Sequence, residues 1–371
     1  PVGELAARVL VPPTEVPEPT ATLEPTATPE PTEIPHTMIP GEPPAGAQSE
    51  IMDADSSVSA EQASAAVGDD FANGLFERPF SGDAMEYRPD LDITHASLST
   101  TDDFIFVEIR LHDEHVDGGL QGTYGVELDL DKDGRGDVLV LATNLQSSWS
   151  TDGVFAWEDS NGDVGGETPV RADEAAGDGY DAVVFEEGIA ADPDLVWARV
   201  KPGDMKVAQL AFKPALVKDS AAYLWWALTD NIVKDPAMYD YNDQYTFEEA
   251  GSPTAGMVEY PVKALSEMDN TCSWTSGYTP ENAEPRMCGA IGGILPGEEV
   301  TMQVYSNPAC TGPYLEFNSV LAANLSFGNL AAGVYCVRIL NMECGAGAAA
   351  QVVTIPLDGS FDWSLFCQPD P

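Results

Sequence analysis

Short runs of β-branched and aromatic residues recur along most of this chain, separated by clusters of Gly, Asp, Asn and Pro at intervals of ~8–12 positions. That is the pattern of strands, and helical periodicity is hard to find. Residues 104–111 (Phe-Ile-Phe-Val-Glu-Ile-Arg-Leu) lie between Thr101-Asp-Asp103 and His112-Asp-Glu114 and read as a strand. Strands are likewise predicted over 124–130, 138–142, 153–157, 181–185, 195–200, 207–212 and 223–228, and then over 300–305, 333–340 and 349–355. Residues 124–130 and 138–142 flank a seven-residue polar stretch, so they predict a hairpin. The fold class expected is all-β, with two β-sandwich domains preceded by an extended N-terminal segment. The first sandwich is expected over 69–250 and a smaller one over 257–371.

The N-terminal segment follows a different pattern. Residues 1–11 end in Val9-Leu10-Val11, an apolar stretch able to act as a strand donated to the sheet edge of another copy. Residues 12–68 read as a Pro/Thr/Glu-rich linker. The eight prolines of residues 12–35 fix φ and remove donors, which favours polyproline II. Ser59-Ala-Glu61-Gln62 has the form of a capping box for a short helix.

Charge narrows the partners. The chain has 371 residues, with 62 acidic and 16 basic, for a formal charge of −46. Neutralising phosphates takes Lys and Arg, so a nucleic-acid partner is not expected, nor is an anionic membrane surface. No apolar run approaches the ~18–20 residues of a membrane-spanning helix, so membrane insertion is not expected. The chain begins at Pro1 without methionine, as expected where an export signal has been removed.

All six cysteines (Cys272, Cys288, Cys310, Cys336, Cys344 and Cys367) lie in the last third. An even number in one small region reads as a disulfide framework and an oxidising, extracellular setting. Sequence leaves the pairing open. No CxxC pair and no nearby His support a zinc reading.

The clearest chemistry is the stretch 129–137, Asp129-Leu-Asp131-Lys-Asp133-Gly134-Arg135-Gly136-Asp137. Carboxylates at positions one, three, five and nine, with glycine at six, suit a hard cation such as calcium, and the Arg135 carbonyl offers a further oxygen. Val140 stands at position twelve, where an EF-hand has a bidentate Glu, and strands replace the flanking helices. A second candidate loop carries Asp159, Asn161, Asp163 and Glu167 at one, three, five and nine, with glycine at four. Trp149 and Trp157 lie beside these loops and are candidate sugar-stacking faces. Trp197 and the adjacent Trp225 and Trp226 read as core. His112 and His115 read as a surface turn, since HxxH at a strand end does not put both rings on one face. No GxSxG, HExxH, P-loop or GxGxxG is present, and no enzyme activity is expected.

Three stretches, 87–98 (Tyr-Arg-Pro-Asp-Leu-Asp-Ile-Thr-His-Ala-Ser-Leu), 102–111 and 124–134, together resemble the family 9 carbohydrate-binding-module and DOMON-like β-sandwiches of secreted bacterial proteins. The repeated Pro-Thr-Ala-Thr linker looks like those of surface proteins from Chloroflexus-like bacteria. The resemblance covers about half the chain and implies a β-sandwich on the cell surface. The group is functionally mixed, so it implies no single activity.

Two expectations follow. One is a structural subunit of an extracellular filament, sheath or surface layer, stabilised by calcium and self-associating into a homopolymer through its N-terminal segment. The other is a calcium-dependent carbohydrate-binding surface protein with a glycan partner.

Overall fold

The computed structural model describes residues 35–57, 60, 69, 71, 74–81, 86–165, 177–187, 189–251, 263–278, 289–292, 299–312, 314–320, 324–327, 333–339, 343–344, 350–355 and 364–368. Residues 1–34, most of the Ser59 capping box, Glu167 and Cys288 lie outside them.

The chain is all-β. Among the described residues two large sheets face one another in a sandwich-like arrangement. The first contains β1 (Ser49–Met52), β3 (Ile93–Thr100), β4 (Ile105–Leu111), β9 (Val196–Val200) and β10 (Val207–Phe212), in the order β1-β3-β4-β10-β9. The second contains β2 (Glu77–Arg78), β5 (Thr123–Asp129), β6 (Val138–Thr143), β7 (Val154–Glu158), β8 (Ala182–Glu186), β11 (Tyr223–Asp230) and β12 (Met268–Asn270), in the order β2-β12-β11-β5-β6-β7-β8. β13 (Trp274–Ser276) also pairs with β11.

The main core fills the space between the sheets. Ile51, Ala96, Leu98, Val107 and Ile109 of the first sheet meet Val126, Leu128, Val138, Val140 and Trp225 of the second. The run Val-Leu-Val-Leu-Ala in β6 is apolar throughout because both faces of that strand are covered. Val138, Val140 and Ala142 point into the main core, while Leu139 and Leu141 point outward into a second cluster with Phe76, Trp157, Tyr180, Tyr239 and Tyr241. That outer layer draws on residues 233–250 together with Phe71, Val164, Tyr180, Leu265 and Met268. It includes a one-turn helix, Phe247–Ala250, whose capping box pairs Thr246 with Glu249. Tyr239 and Tyr241, with no specific reading in the sequence, are both buried in this layer.

The expected linker ends earlier than residue 68. Residues 36–48 cross the outer face of the first sheet and lead into β1, which pairs antiparallel with β3. Three contacts hold this stretch. Asp194 accepts from Thr37 N at 2.8 Å, Thr37 Oγ1 at 2.7 Å and Met38 N at 2.8 Å. Arg199 grips the Glu42 carboxylate with two nitrogens at 3.0 and 2.6 Å. Trp149 Nε1 donates to Gly41 O at 2.9 Å.

The expected boundary at 257 is not a break between sheets. β12 and β13 complete the second sheet. β14 (Gly289–Gly292), β17 (Asn324–Phe327), β19 (Glu343–Cys344) and β21 (Ser364–Gln368) extend the first sheet beyond β1, through a parallel pairing of β1 with β17. A third sheet, in the order β16-β15-β18-β20, is made from β15 (Glu299–Tyr305), β16 (Tyr314–Val320), β18 (Gly333–Ile339) and β20 (Ala350–Ile355).

Candidate metal centre

The pairing of Leu128 with Val138 makes residues 129–137 the loop of the β5–β6 hairpin, as the spacing predicts. Two left-handed positions shape it, Lys132 at φ 70° and Gly134 at φ 93°. Asp129 closes β5 and is fully buried. Its carboxylate accepts from Lys132 N at 2.5 Å and Gly134 N at 2.8 Å. Asp137 accepts from Leu130 N at 2.6 Å and Asp131 N at 3.3 Å. One oxygen each from Asp129, Asp131 and Asp137 lies within 4.8 Å of the other two. Ligands on opposite sides of a cation bound at ~2.4 Å are about that far apart, so the spacing suits calcium.

Asp133 takes a different role. Its Oδ1 accepts from Arg135 N at 3.0 Å, its Oδ2 lies 3.8 Å from Arg135 Nε, and it does not join the cluster. The Arg135 side chain packs against Gly165 of the neighbouring loop. A side chain at Gly136 would overlap the Tyr180 hydroxyl, so the loop sits tightly on the tyrosine layer. Burial pushes the Asp129 carboxyl up to about 8, against the pull of the Gly134 and Lys132 amides, and burial also raises Asp133 and Asp137. A divalent cation would offset that cost, and an all-oxygen donor set selects a hard one.

The second loop lies beside the first, with Asp159 N donating to Asp137 O at 2.9 Å. Its carboxylates accept from backbone and side-chain donors of the same region. Asp159 accepts from Gly162 N at 2.7 Å and Val164 N at 3.0 Å. Asp163 accepts from Gly179 N at 3.1 Å and from Asn161 Nδ2 at 3.1 Å. Glu167, the fourth ligand that the spacing predicts for this loop, lies outside the described residues.

Trp157 offers no free face for sugar stacking, and Arg199 covers one face of Trp149. Trp157 is buried in the outer core and stacks on Phe155 at 5.4 Å, because its place in β7 turns it to the covered side of the sheet. Trp149 is half-buried, with the Arg199 guanidinium 4.3 Å above its ring and Phe106 beside it. Trp225 and Trp226 point to opposite faces and both are buried, as expected of neighbours in a strand. His112 sits just past β4, with Nδ1 3.1 Å from Asp55. Cys310 and Cys336 form a disulfide with Cα atoms 5.3 Å apart. Cys272 is buried and disulfide-bonded, and Cys344 and Cys367 are opposed residues of β19 and β21. Among the described residues no cysteine is free.

Sequence spacing misses a further carboxylate group, Asp53, Glu77 and Asp269, because its members come from three distant segments. Only the pairing of β2 with β12 brings Glu77 opposite Asp269. No family model, curated protein or solved structure matches this chain.

Proposed function

We propose that this chain is a non-enzymatic structural subunit of an extracellular assembly, in which calcium clamps the β5–β6 hairpin and copies associate with one another. The observation that carries this reading is the hairpin loop itself, where a fully buried Asp129 is held with Asp131 and Asp137 at cation spacing. The formal charge of −46 supports it, since chains so acidic repel one another until cations screen or bridge them. The disulfide between Cys310 and Cys336 fits an oxidising compartment. The resemblance to secreted β-sandwich domains points the same way. Carbohydrate binding, the competing reading, has less support, since Trp149 and Trp157 are both engaged in packing.

Electron microscopy and sedimentation of the purified chain, with calcium and then with chelator, test the proposal. Regular polymers are expected with calcium and their loss with chelator. Chelation is also expected to lower the melting temperature of the sandwich that carries the loop. Polymers that survive deletion of residues 1–11 would remove the N-terminal segment as the link. A monomer in both conditions that binds a glycan array would replace the proposal with the carbohydrate reading.

A further inference from the structure

The strongest unassigned feature lies at one end of the sandwich, away from the hairpin loop. Asp53 follows β1 of the first sheet, while Glu77 and Asp269 are directly opposed residues of β2 and β12 in the second. All three are buried, with exposures of 2%, 0% and 0%. One oxygen from each lies within 4.8 Å of the other two. Like charges directly across a strand pair repel, and burial magnifies the repulsion, so this arrangement is costly unless something neutralises it.

The chain itself does not supply that neutraliser. Both Asp53 oxygens, Glu77 Oε1 and Asp269 Oδ1 are shielded from solvent and have no well-formed hydrogen bond among the described residues, and the groups facing Asp53 are the Ala54 backbone N–H and the Glu77 carboxyl, neither of them a cation. No described Lys, Arg or His pairs with any of the three carboxylates. Arg78, the next residue to Glu77, is committed elsewhere. It binds Asp69 through Nε at 2.5 Å and Nη2 at 2.9 Å, and the carbonyls of Ala250, Leu265 and Gly251 at 3.0–3.1 Å. His112 faces Asp55.

The remaining oxygens are fixed as a ligand shell needs them to be. Glu77 Oε2 accepts from Ser56 Oγ at 3.3 Å, and Asp269 Oδ2 accepts from Ile93 N at 2.7 Å. Each bond pins one oxygen and sets the orientation of the other. Asp92, also buried, adds negative charge nearby but is itself satisfied by Ser56 N and the Tyr87 hydroxyl. Burial and mutual repulsion raise all three carboxyls well above the usual range.

We propose that Asp53, Glu77 and Asp269 form a buried calcium site that ties the first sheet to the second, separate from the hairpin loop. Oxygen-only donors select a hard cation. Calcium fits better than magnesium, which keeps several of its waters, whereas this site is closed to solvent. Main-chain carbonyls or trapped water must complete a shell of six to eight oxygens. The alternative state of such a cluster is a set of carboxyls that share protons and bind no metal.

The test uses the full chain with the hairpin ligands removed, as Asp131→Asn/Asp137→Asn. After exhaustive dialysis at neutral pH, its calcium content is measured by mass spectrometry of the metal. One calcium per chain is expected, falling to none when Glu77→Gln is added. Calcium at a hundredfold excess over Kd should raise the melting temperature of the hairpin variant by about 5–10 °C. A hairpin variant that holds no calcium and melts alike with and without it would overturn the proposal in favour of shared protons. Calcium content unchanged by Glu77→Gln would overturn it too. If the Glu77→Gln chain does not fold, the content and melting shift of the hairpin variant still decide. Failure of the hairpin site reads differently, as equal calcium in the wild type and the hairpin variant.

Discussion

Asp194 shows how much one buried carboxylate can organise. Burial opposes its ionisation, but hydrogen bonds from Thr37 Oγ1, Thr37 N, His36 and Met38 N outweigh that and hold its carboxyl at about 2. The folded value lies below the unfolded one of ~3.9, so this contribution is complete above that value and is lost as pH falls towards 2. Residues 36–38 are therefore expected to detach from the sheet between about pH 4 and pH 2. Asp194→Ala should detach them at neutral pH and cost about 1 kcal/mol, since the exposed Thr37 and Met38 donors turn to water once their acceptor is gone. Hydrogen exchange at Thr37 and Met38, followed against pH, checks both. Protection that persists at pH 2, or in Asp194→Ala, would show that other contacts hold the segment.

At the scale of elements, the pattern of apolar positions was a good guide where strands are long and well covered. β4, β5, β6, β9, β10 and β11 all lie where β-branched and aromatic runs predict them, because burial on one or both faces demands such runs. β1, β2, β3 and β12 were not legible. Each is short or polar, and β3 reads Ile-Thr-His-Ala-Ser-Leu-Ser-Thr, with its small polar residues on the face away from the core. Tertiary pairing makes them strands, and no local signal could announce it. The two carboxylate sites divide in the same way. Asp129, Asp131 and Asp137 share one hairpin loop, so their spacing is visible in the chain. Asp53, Glu77 and Asp269 become neighbours only through the β2–β12 ladder. Trp157 misled for a related reason. Its closeness to acidic loops in sequence said nothing about the outer apolar cluster that buries it.

Across the whole molecule, 62 acidic side chains against 16 basic ones leave a field that favours expansion. Cations relieve it in two ways, by general screening and by binding at defined oxygens. The two separate experimentally. In chelator, the melting temperature should climb steadily as sodium chloride rises from about 10 mM to about 300 mM, as the Debye length shrinks from ~30 Å to below 8 Å. Micromolar to millimolar calcium, which adds little ionic strength, should add a step that sodium cannot reproduce. A melting temperature indifferent to salt would mean that the acidic residues are too dispersed for their repulsion to matter. The path of residues 36–52 also has a mechanical consequence. A tensile load applied at residue 35 meets the Asp194 anchor first, then the Glu42–Arg199 grip, and then the β1 ladder on β3, so these act as fasteners in series. Pulled in an optical trap from residue 35, the chain should give way in separate small releases before the sandwich opens. Asp194→Ala should delete the earliest of them. A single rupture unaffected by that substitution would mean that the stretch carries no load, and one that behaves as described makes it a strain-relief tether ahead of the core.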